Sequence, residues 1–368
     1  MLIFPKSCGN QCSSASPRLG VTGYVGGDTL YAFTQAHPEW EITALVRSTE
    51  KGAAVAKGYP AIKLVYGDLD NSDLLADESS KADIVLQLAD ADHVGSIHAL
   101  LAGLKRGHTR DAPGYYIHMS GAGSLFPAST LSDPSLLGTL PADAHIYDDW
   151  DGRVDLYART PPNAYHKAAD LVVTHAGQHM DGAVRSALVA PPGIYGTGRG
   201  PCHRHSMLGP AQARIILTEG AGCLLGDGGN IWNVLHVSDA SALLVLLVEA
   251  AVQGGGKADW DHDAYYLCEA GEMTQPEIAE SMAKEAVRMG LIASPELKTI
   301  TRERANEILP FGDVLMGSTS RGRSIRARKR LGWEPKGRSW AEELPDLFET
   351  VATDMGLLKS HAQKAVGN

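Results

Sequence analysis

The spacing G-x-x-G-x-x-G at Gly20, Gly23 and Gly26, within Leu19-Gly20-Val21-Thr22-Gly23-Tyr24-Val25-Gly26-Gly27-Asp28-Thr29-Leu30, constrains this chain more than any other stretch. An apolar-periodic segment, Leu30 to Ala36, follows it and reads as a helix. A glycine loop that opens a helix has a physical use. The first glycine permits a tight turn, the next lets the backbone approach a pyrophosphate, and the third lets the helix pack close to its strand. The phosphate charge then rests on free N–H groups at the positive end of the helix. Gly20, Gly23, Tyr24, Val25 and Gly26 are the expected cradle. A simple strand-to-helix turn would use the same glycines, so the surrounding sequence has to choose between the two.

The next strand-like run favours a dinucleotide. Trp40 to Val46 ends in Arg47, about 20 residues past Gly26, where a dinucleotide fold reads the adenosine ribose. An acid there would accept from the 2′-hydroxyl. Arg47, with Lys51 nearby, pairs instead with a 2′-phosphate, which favours NADPH over NADH and leaves NAD admissible. The alternative for Arg47 is a solvated strand end.

Beyond it the alternation is regular. Strand-like runs at Ile62–Tyr66, Ile84–Leu88, Tyr115–Met119 and Val184–Ala190, with helical stretches such as Val94–Arg106 between them, predict a parallel, doubly wound α/β sheet. Asn230–Val237 reads as a further strand. Ser238 and Asp239 then stand ready to cap the apolar helix Ala240–Val252, which Gly254-Gly255-Gly256 ends. Residues 124–160 are loop-rich and read as an insertion near a site mouth, and Glu277–Gly290 reads as a helix. The expected division is a nucleotide-binding domain over residues 1–194, completed by 230–256. A smaller lobe takes 195–229 and 257–345, and a tail 346–368.

The first strand is the irregular part. A strand buried on both faces reads as a continuous apolar run, yet Ser13-Ser14-Ala15-Ser16-Pro17-Arg18 lies just before the glycine loop. Either Leu2-Ile3-Phe4 is the strand and residues 5–18 loop out, or the first strand is defective. An insertion of that length is unusual in a compact α/β unit and reads as a retained-intron or gene-model artefact.

A chain of 368 residues suffices for a large α/β domain plus a smaller one. Its net charge of −10 argues against broad binding to nucleic acid or anionic membrane. Five cysteines make no even framework, which points to a reducing, cytoplasmic setting. No run reaches the ~18 apolar residues that would span a bilayer. Cys202-His203-Arg204-His205 offers three ligating side chains, but no second cluster with zinc-site spacing completes it, so no metal is expected. The basic run Arg321 to Arg330 reads as a solvated helix, a phosphate-binding patch or a nuclear signal.

Further motifs follow in order. Gly67-Asp68-Leu69 comes after the third strand, Ser120-Gly121 ends the fifth, and Pro191-Pro192-Gly193-Ile194-Tyr195-Gly196 follows the sixth. Gly226-Asp227-Gly228, His236-Val237-Ser238-Asp239 and Leu331-Gly332-Trp333-Glu334-Pro335 complete the set. Together with the glycine loop, over roughly residues 19–335, they resemble the extended short-chain dehydrogenase/reductase superfamily in its NAD-dependent epimerase/dehydratase branch. The likeness is greatest to fungal members, with an atypical active site. It implies a Rossmann-type fold with a smaller C-terminal substrate lobe and a bound NAD(P). Asp68 and Leu69 would then contact adenine, and Pro191 and Ile194 would lie beside the nicotinamide.

The resemblance also implies a Ser/Thr, Tyr, Lys set. The tyrosine moves the proton, and the lysine lowers its pKa and holds the nicotinamide ribose. Tyrosine and lysine must be four apart to share a helix face. Lys167 is in place, in an expected helix Tyr165–Thr174, but Asn163 stands four residues earlier. Tyr165 is two residues before Lys167, about 200° away on a regular helix. The Tyr59 to Lys63 match lies between the second and third strands and is a coincidence. His166 and Asp170 do have the spacing, and a histidine oriented by a carboxylate carries a proton near neutral pH. His166 is therefore expected to stand in for the tyrosine, the alternative being a surface pair. Ser120 is expected to hydrogen-bond a substrate carbonyl, or else backbone at the strand end.

The expected function is an NAD(P)-dependent oxidoreductase of the epimerase/dehydratase type. Its substrate would be a small carbonyl or alcohol, or a sugar nucleotide. Ser120, Tyr165, His166 and Lys167 are the catalytic candidates and NADP is the favoured cofactor. No nucleic-acid or membrane partner is expected, and a homodimer is compatible with this reading. The missing tyrosine keeps two others open: a catalytically silent NAD(P)-binding redox sensor of the NmrA-like kind, and an inactive product of a damaged gene.

Overall fold

The computed structural model describes residues 2–5, 20–151 and 153–359. The suspected insertion at residues 5–18, with Cys8 and Cys12, lies outside them except for Pro5, as does the end of the tail. The strands that position the site are β1 (Leu2–Pro5), β2 (Thr43–Val46), β3 (Lys63–Tyr66), β4 (Ala82–Gln87) and β5 (Gly114–Met119). They continue with β6 (Val184–Ala190), β7 (Gly193–Tyr195), β8 (Ile231–His236), β9 (Tyr265–Leu267) and β10 (Glu272–Thr274). One seven-stranded sheet runs β9-β6-β5-β4-β1-β2-β3, and a three-stranded sheet runs β10-β8-β7.

The central strands are apolar on both faces, as a covered parallel sheet demands. Ile84, Leu86, Ile117 and Val189 face one core, while Val85, Tyr116 and Leu188, one residue out of phase, face the other. Helices α1 (Tyr24–Ala36) and, from the far end of the domain, the apolar helix Val237–Val252 close the first face through Leu30, Phe33, Leu243 and Leu247. The other face is covered by Val94–Gly107 and Lys167–Thr174, through Ile97, Leu100, Leu104 and Val173. This is the expected Rossmann-type sheet.

One strand departs from it. β1 pairs antiparallel with both neighbours, Leu2 opposite Ala44 and Leu86, and Phe4 opposite Ile84. The slot of the first strand is thus filled by the N-terminal apolar triplet, running the other way. A parallel strand would lead straight into Gly20. Nothing in Ser13 to Arg18 is apolar enough to take that buried slot.

Three expectations at element edges need correction. The helix Val237–Val252 is capped by His236, whose Nδ1 accepts the Ser238 N–H at 3.1 Å, not by Ser238 or Asp239. Asp239 instead accepts the backbone N–H groups of Lys336 (2.7 Å) and Gly337 (2.9 Å), and its carbonyl takes the Trp333 indole N–H at 3.0 Å. The two late motifs are therefore halves of one clasp. β9, in the stretch assigned to the smaller lobe, is the edge strand of the large sheet, because Tyr265, Tyr266 and Leu267 are all buried against it. Three residues are too few to show a period. Finally, Trp340–Asp354, expected partly in the tail, is a helix that fills the lobe's core. Its Trp340, Leu344, Phe348 and Val351 pack on Ile278, Met282 and Ile216. Among the described residues no helix is long and apolar enough to cross a membrane.

The first turns of α1 are locked by charge to Arg199, in the stretch after β7. The Asp28 carboxylate is buried and takes two bonds from the Arg199 guanidinium, at 2.8 and 2.7 Å, and one from Ser241 at 2.7 Å. These bonds hold its pKa below the usual carboxylate value, against the opposing effect of burial. Arg199 is 38% exposed and can rehydrate when its partner is lost. Asp28→Ala should therefore cost about 2 kcal/mol, less than a fully buried pair. A urea-denaturation midpoint measures it.

Candidate functional site

The glycine loop is shaped by contacts that admit no side chain. A Cβ on Gly26 would lie 2.2 Å from the Gly20 carbonyl oxygen, and one on Gly20 would lie 3.1 Å from the Leu88 carbonyl at the end of β4. The Gly23 N–H closes the turn on the Gly20 carbonyl at 2.7 Å, and Gly27 N–H to Gly23 C=O at 2.9 Å is the first helical bond. The amides of Tyr24, Val25 and Gly26 precede that bond and point out of the helix's positive end. A diphosphate fits such a cradle, and the nearby acid, Asp28, is already neutralised by Arg199.

At the same carboxyl end of the sheet, Arg47 is exposed just past β2, and Ser48 caps the helix Thr49–Gly58 that carries Lys51. Asp68 follows β3, and its Oδ1 accepts the amides of Asp70 (3.0 Å) and Asn71 (3.2 Å), shaping the turn that Leu69 belongs to. Tyr59 ends the Thr49–Gly58 helix and Lys63 opens β3, so this Tyr-x-x-x-Lys match shares no helix.

Beside the loop, bordered by segments 206–208 and 310–315, lies a cleft of about 520 Å³. Tyr24, the Gly121–Gly123 backbone, Pro191 and Ile194 form its floor, with Tyr165 and His166 on one side. Lys167 does not reach it. The expected helix Tyr165–Thr174 begins only at Lys167, because His166 takes a left-handed conformation (φ 65°) as its N-cap. Tyr165 and His166 therefore precede the helix and can both face the cleft, whereas the Lys167 ammonium donates to the carbonyls of Tyr157 (3.3 Å) and Thr160 (3.2 Å). Burial lowers the Lys167 pKa there.

The break also separates the expected His166–Asp170 pair. His166 Nδ1 meets Asp92, at 2.9 Å to Oδ1 and 3.1 Å to Oδ2. Its Nε2 points at the loop after β5, where a Cβ on Gly121 would lie 2.8 Å away. Asp170, one turn on, is buried and accepts from Ser120 Oγ at 2.7 Å. Ser120 thus faces an interior network with Asp170, Tyr265 and Ser124. Asp92 carried a sequence signal that was missed: it sits past the C-terminal end of β4, where ligand groups gather in open α/β sheets.

Burial pushes the Asp170 carboxyl up to about 7. The folded protein then holds a proton, between about pH 4 and pH 7, that the unfolded chain releases. This group's contribution to stability falls as pH rises through that window, by roughly 2–4 kcal/mol. Asp170→Asn keeps the shape without the charge. Its melting temperature should exceed that of the parent at about pH 8 and match it near pH 4; thermal melts at both pH values check this.

The basic run is used up internally. Arg321 and Arg323 pair with Glu272 (2.8 and 3.2 Å), Arg328 meets Glu269 (3.5 Å), and Arg326 and Arg330 both pair with Asp259. Lys329 lies 4.5 Å above the Trp150 ring. Among the described residues no group of three His, Cys, Asp or Glu side chains is arranged to hold a metal ion. Cys202, in the Cys-His-Arg-His run, lies against the Lys51 carbonyl.

Known proteins resemble this arrangement at several levels. A protein of an Acremonium species named Oxidase ucsJ is 30% identical over 346 residues, 92% of this chain and 97% of that protein. Among solved structures, a dTDP-glucose 4,6-dehydratase from Streptomyces venezuelae with NAD and TYD bound matches at a TM-score of 0.63 and 17% identity, covering 93% of this chain and 98% of that one. The UDP-glucose 4-epimerase of Thermotoga maritima with UDP-glucose matches at 0.61 and 13%, covering 92% and 98%. At those identities the structural likeness shows the fold alone. The model of the NAD dependent epimerase/dehydratase family matches residues 19–261. With that match over most of its length, the chain belongs to the NAD-dependent epimerase/dehydratase family.

Proposed function

We propose that the protein is an NAD(P)-dependent oxidoreductase in which His166 moves the proton and Arg47 selects NADPH. The observation that carries this is the His166 ring, held at Nδ1 by Asp92 and presenting Nε2 to the cleft floor beside Gly121. The bound dinucleotide supplies hydride chemistry. The chain supplies the rest. The amides at the start of α1 hold the diphosphate, and Arg47 with Lys51 meets a 2′-phosphate. Pro191 and Ile194 wall the nicotinamide end. Asp92 fixes the proton on Nδ1, so that Nε2 is the nitrogen free to take or give a proton at a substrate oxygen. Tyr165 packs edge-on against Phe126 at 5.7 Å and serves as wall, and Ser120 acts through Asp170 as support for the β5 loop. The family and the Acremonium relative support an oxidoreductase.

A second reading is favoured by one observation. Lys167, which the family's chemistry would use on the ribose, is engaged by two carbonyls, and Asn163 replaces the tyrosine. On that reading the protein binds the dinucleotide as a sensor and does not turn it over.

Titration with NADPH and NADH, read by tryptophan fluorescence, tests the binding claim. Arg47→Ala should weaken NADPH about tenfold, a loss of about 1.4 kcal/mol, and leave NADH within about twofold. A panel of aldehydes, ketones and alcohols followed by NADPH absorbance tests turnover. Binding with no turnover across the panel would favour the sensor.

A further inference from the structure

We infer that the substrate is an uncharged molecule with an extended apolar, ring-bearing body, and not a sugar nucleotide. The inference rests on the oxidoreductase reading for the place of reaction, and on the cleft walls for everything else. Not one Asp, Glu, Lys or Arg lines the cleft among the described residues. Its walls include Phe126, Trp232, Met207, Phe311, Val314 and Leu315. Phe126 is the hub of a continuous ring wall, edge-on to Trp232 at 5.8 Å and to Tyr165 at 5.7 Å.

A sugar nucleotide carries a diphosphate, which needs cations or several convergent donors where it is desolvated. The densest cationic run of the chain cannot supply them. Arg321, Arg323, Arg326, Arg328 and Arg330 are each paired with Glu272, Asp259 or Glu269. Moving one into the cleft would break its ion pair with Glu272, Asp259 or Glu269.

The exposed part of the cleft lining is apolar as well. Met207 is 71% exposed and Phe311 74% exposed, on two separate chain segments that both line the cleft. Phe311 also holds a left-handed backbone (φ 61°), at the start of the short helix Gly312–Gly317. That conformation is uncommon for a bulky residue and is strained. Here it sets a large apolar ring out into solvent at a site entrance. A substrate whose apolar body runs from His166 along the ring wall and out between Met207 and Phe311 covers all of this surface. Its reacting carbonyl or carbinol then lies at His166 Nε2.

The test uses the full chain and four neutral ketones of rising apolar area: cyclohexanone, acetophenone, 2-acetylnaphthalene and progesterone. Binding is read by tryptophan fluorescence, with and without NADPH, and dTDP-glucose and UDP-glucose are run beside them. Affinity should rise at least about tenfold from the first ketone to the last, with both sugar nucleotides weaker than progesterone. Met207→Glu and Phe311→Asp alter exposed rim positions and should each weaken progesterone about tenfold while leaving NADPH affinity unchanged. A flat ketone series, tighter binding of either sugar nucleotide, or rim variants within twofold of the parent would overturn the inference. Those results with intact NADPH binding would leave the oxidoreductase reading standing. Rising ketone affinity with no NADPH binding would support the cleft assignment and contradict the dinucleotide reading.

Discussion

Gly26→Ala should weaken NADPH binding by about 100-fold or more while most of the fold survives. The added methyl would sit 2.2 Å from the Gly20 carbonyl oxygen, a distance no carbon–oxygen contact tolerates. The obstacle is backbone, so no rotamer change relieves it. Gly20 cannot retreat freely, because it already lies against the Leu88 carbonyl and Ala89. The turn must open, and the Gly23 N–H bond to Gly20 goes with it. Overpacking of this kind costs about 1–3 kcal/mol. The strain falls on the loop that holds the amides, so nucleotide affinity should suffer more than global stability. Gly95→Ala, in the first turn of Val94–Gly107, makes the control: its methyl would meet nothing closer than 3.6 Å. It should leave NADPH affinity unchanged and stability equal or slightly higher. Calorimetric titration and a denaturant midpoint on the two variants read both quantities.

Loss of the His166 imidazole should lower kcat by about 10²–10⁴-fold, the usual worth of a positioned proton carrier, with NADPH affinity kept. The substitution needs care. His166 has φ 65°, a conformation that alanine adopts only at a cost of roughly 1–2 kcal/mol, whereas asparagine enters it more readily. His166→Asn is therefore the cleaner variant. Asp92→Asn should cost less, about tenfold, because the ring stays and only its orientation and tautomer are loosened. Steady-state kinetics on the best ketone or alcohol of the panel measure both. A His166→Asn protein with full kcat would remove the histidine from the chemistry.

Much of the large sheet was legible because its strands are short apolar runs between clear turns. Val184–Ala190 and Tyr115–Met119 are strands at, or within one residue of, the expected bounds. The glycine loop was legible because only glycine satisfies its contacts. The direction of β1 was not, since four apolar residues carry no information about which way they run in a sheet. The site was half legible. Tyr165 and His166 were found by their place between the fifth and sixth strands, but their partner was assigned by helical spacing. One left-handed residue defeats that rule, sending His166 to Asp92 and Asp170 to Ser120. The basic run looked available because sequence shows charges and not their partners. Glu272, Asp259 and Glu269 lie 49 to 71 residues away along the chain.

Every proposed role requires a pyridine dinucleotide on the amides that begin α1. Equilibrium titration of the folded protein with NADPH tests this most directly. Saturable one-to-one binding at micromolar concentrations is expected, weakened at least about 100-fold in Gly26→Ala and retained in Gly95→Ala. No binding of NADPH or NADH at millimolar concentrations to folded protein, or equal binding by both variants, would contradict it.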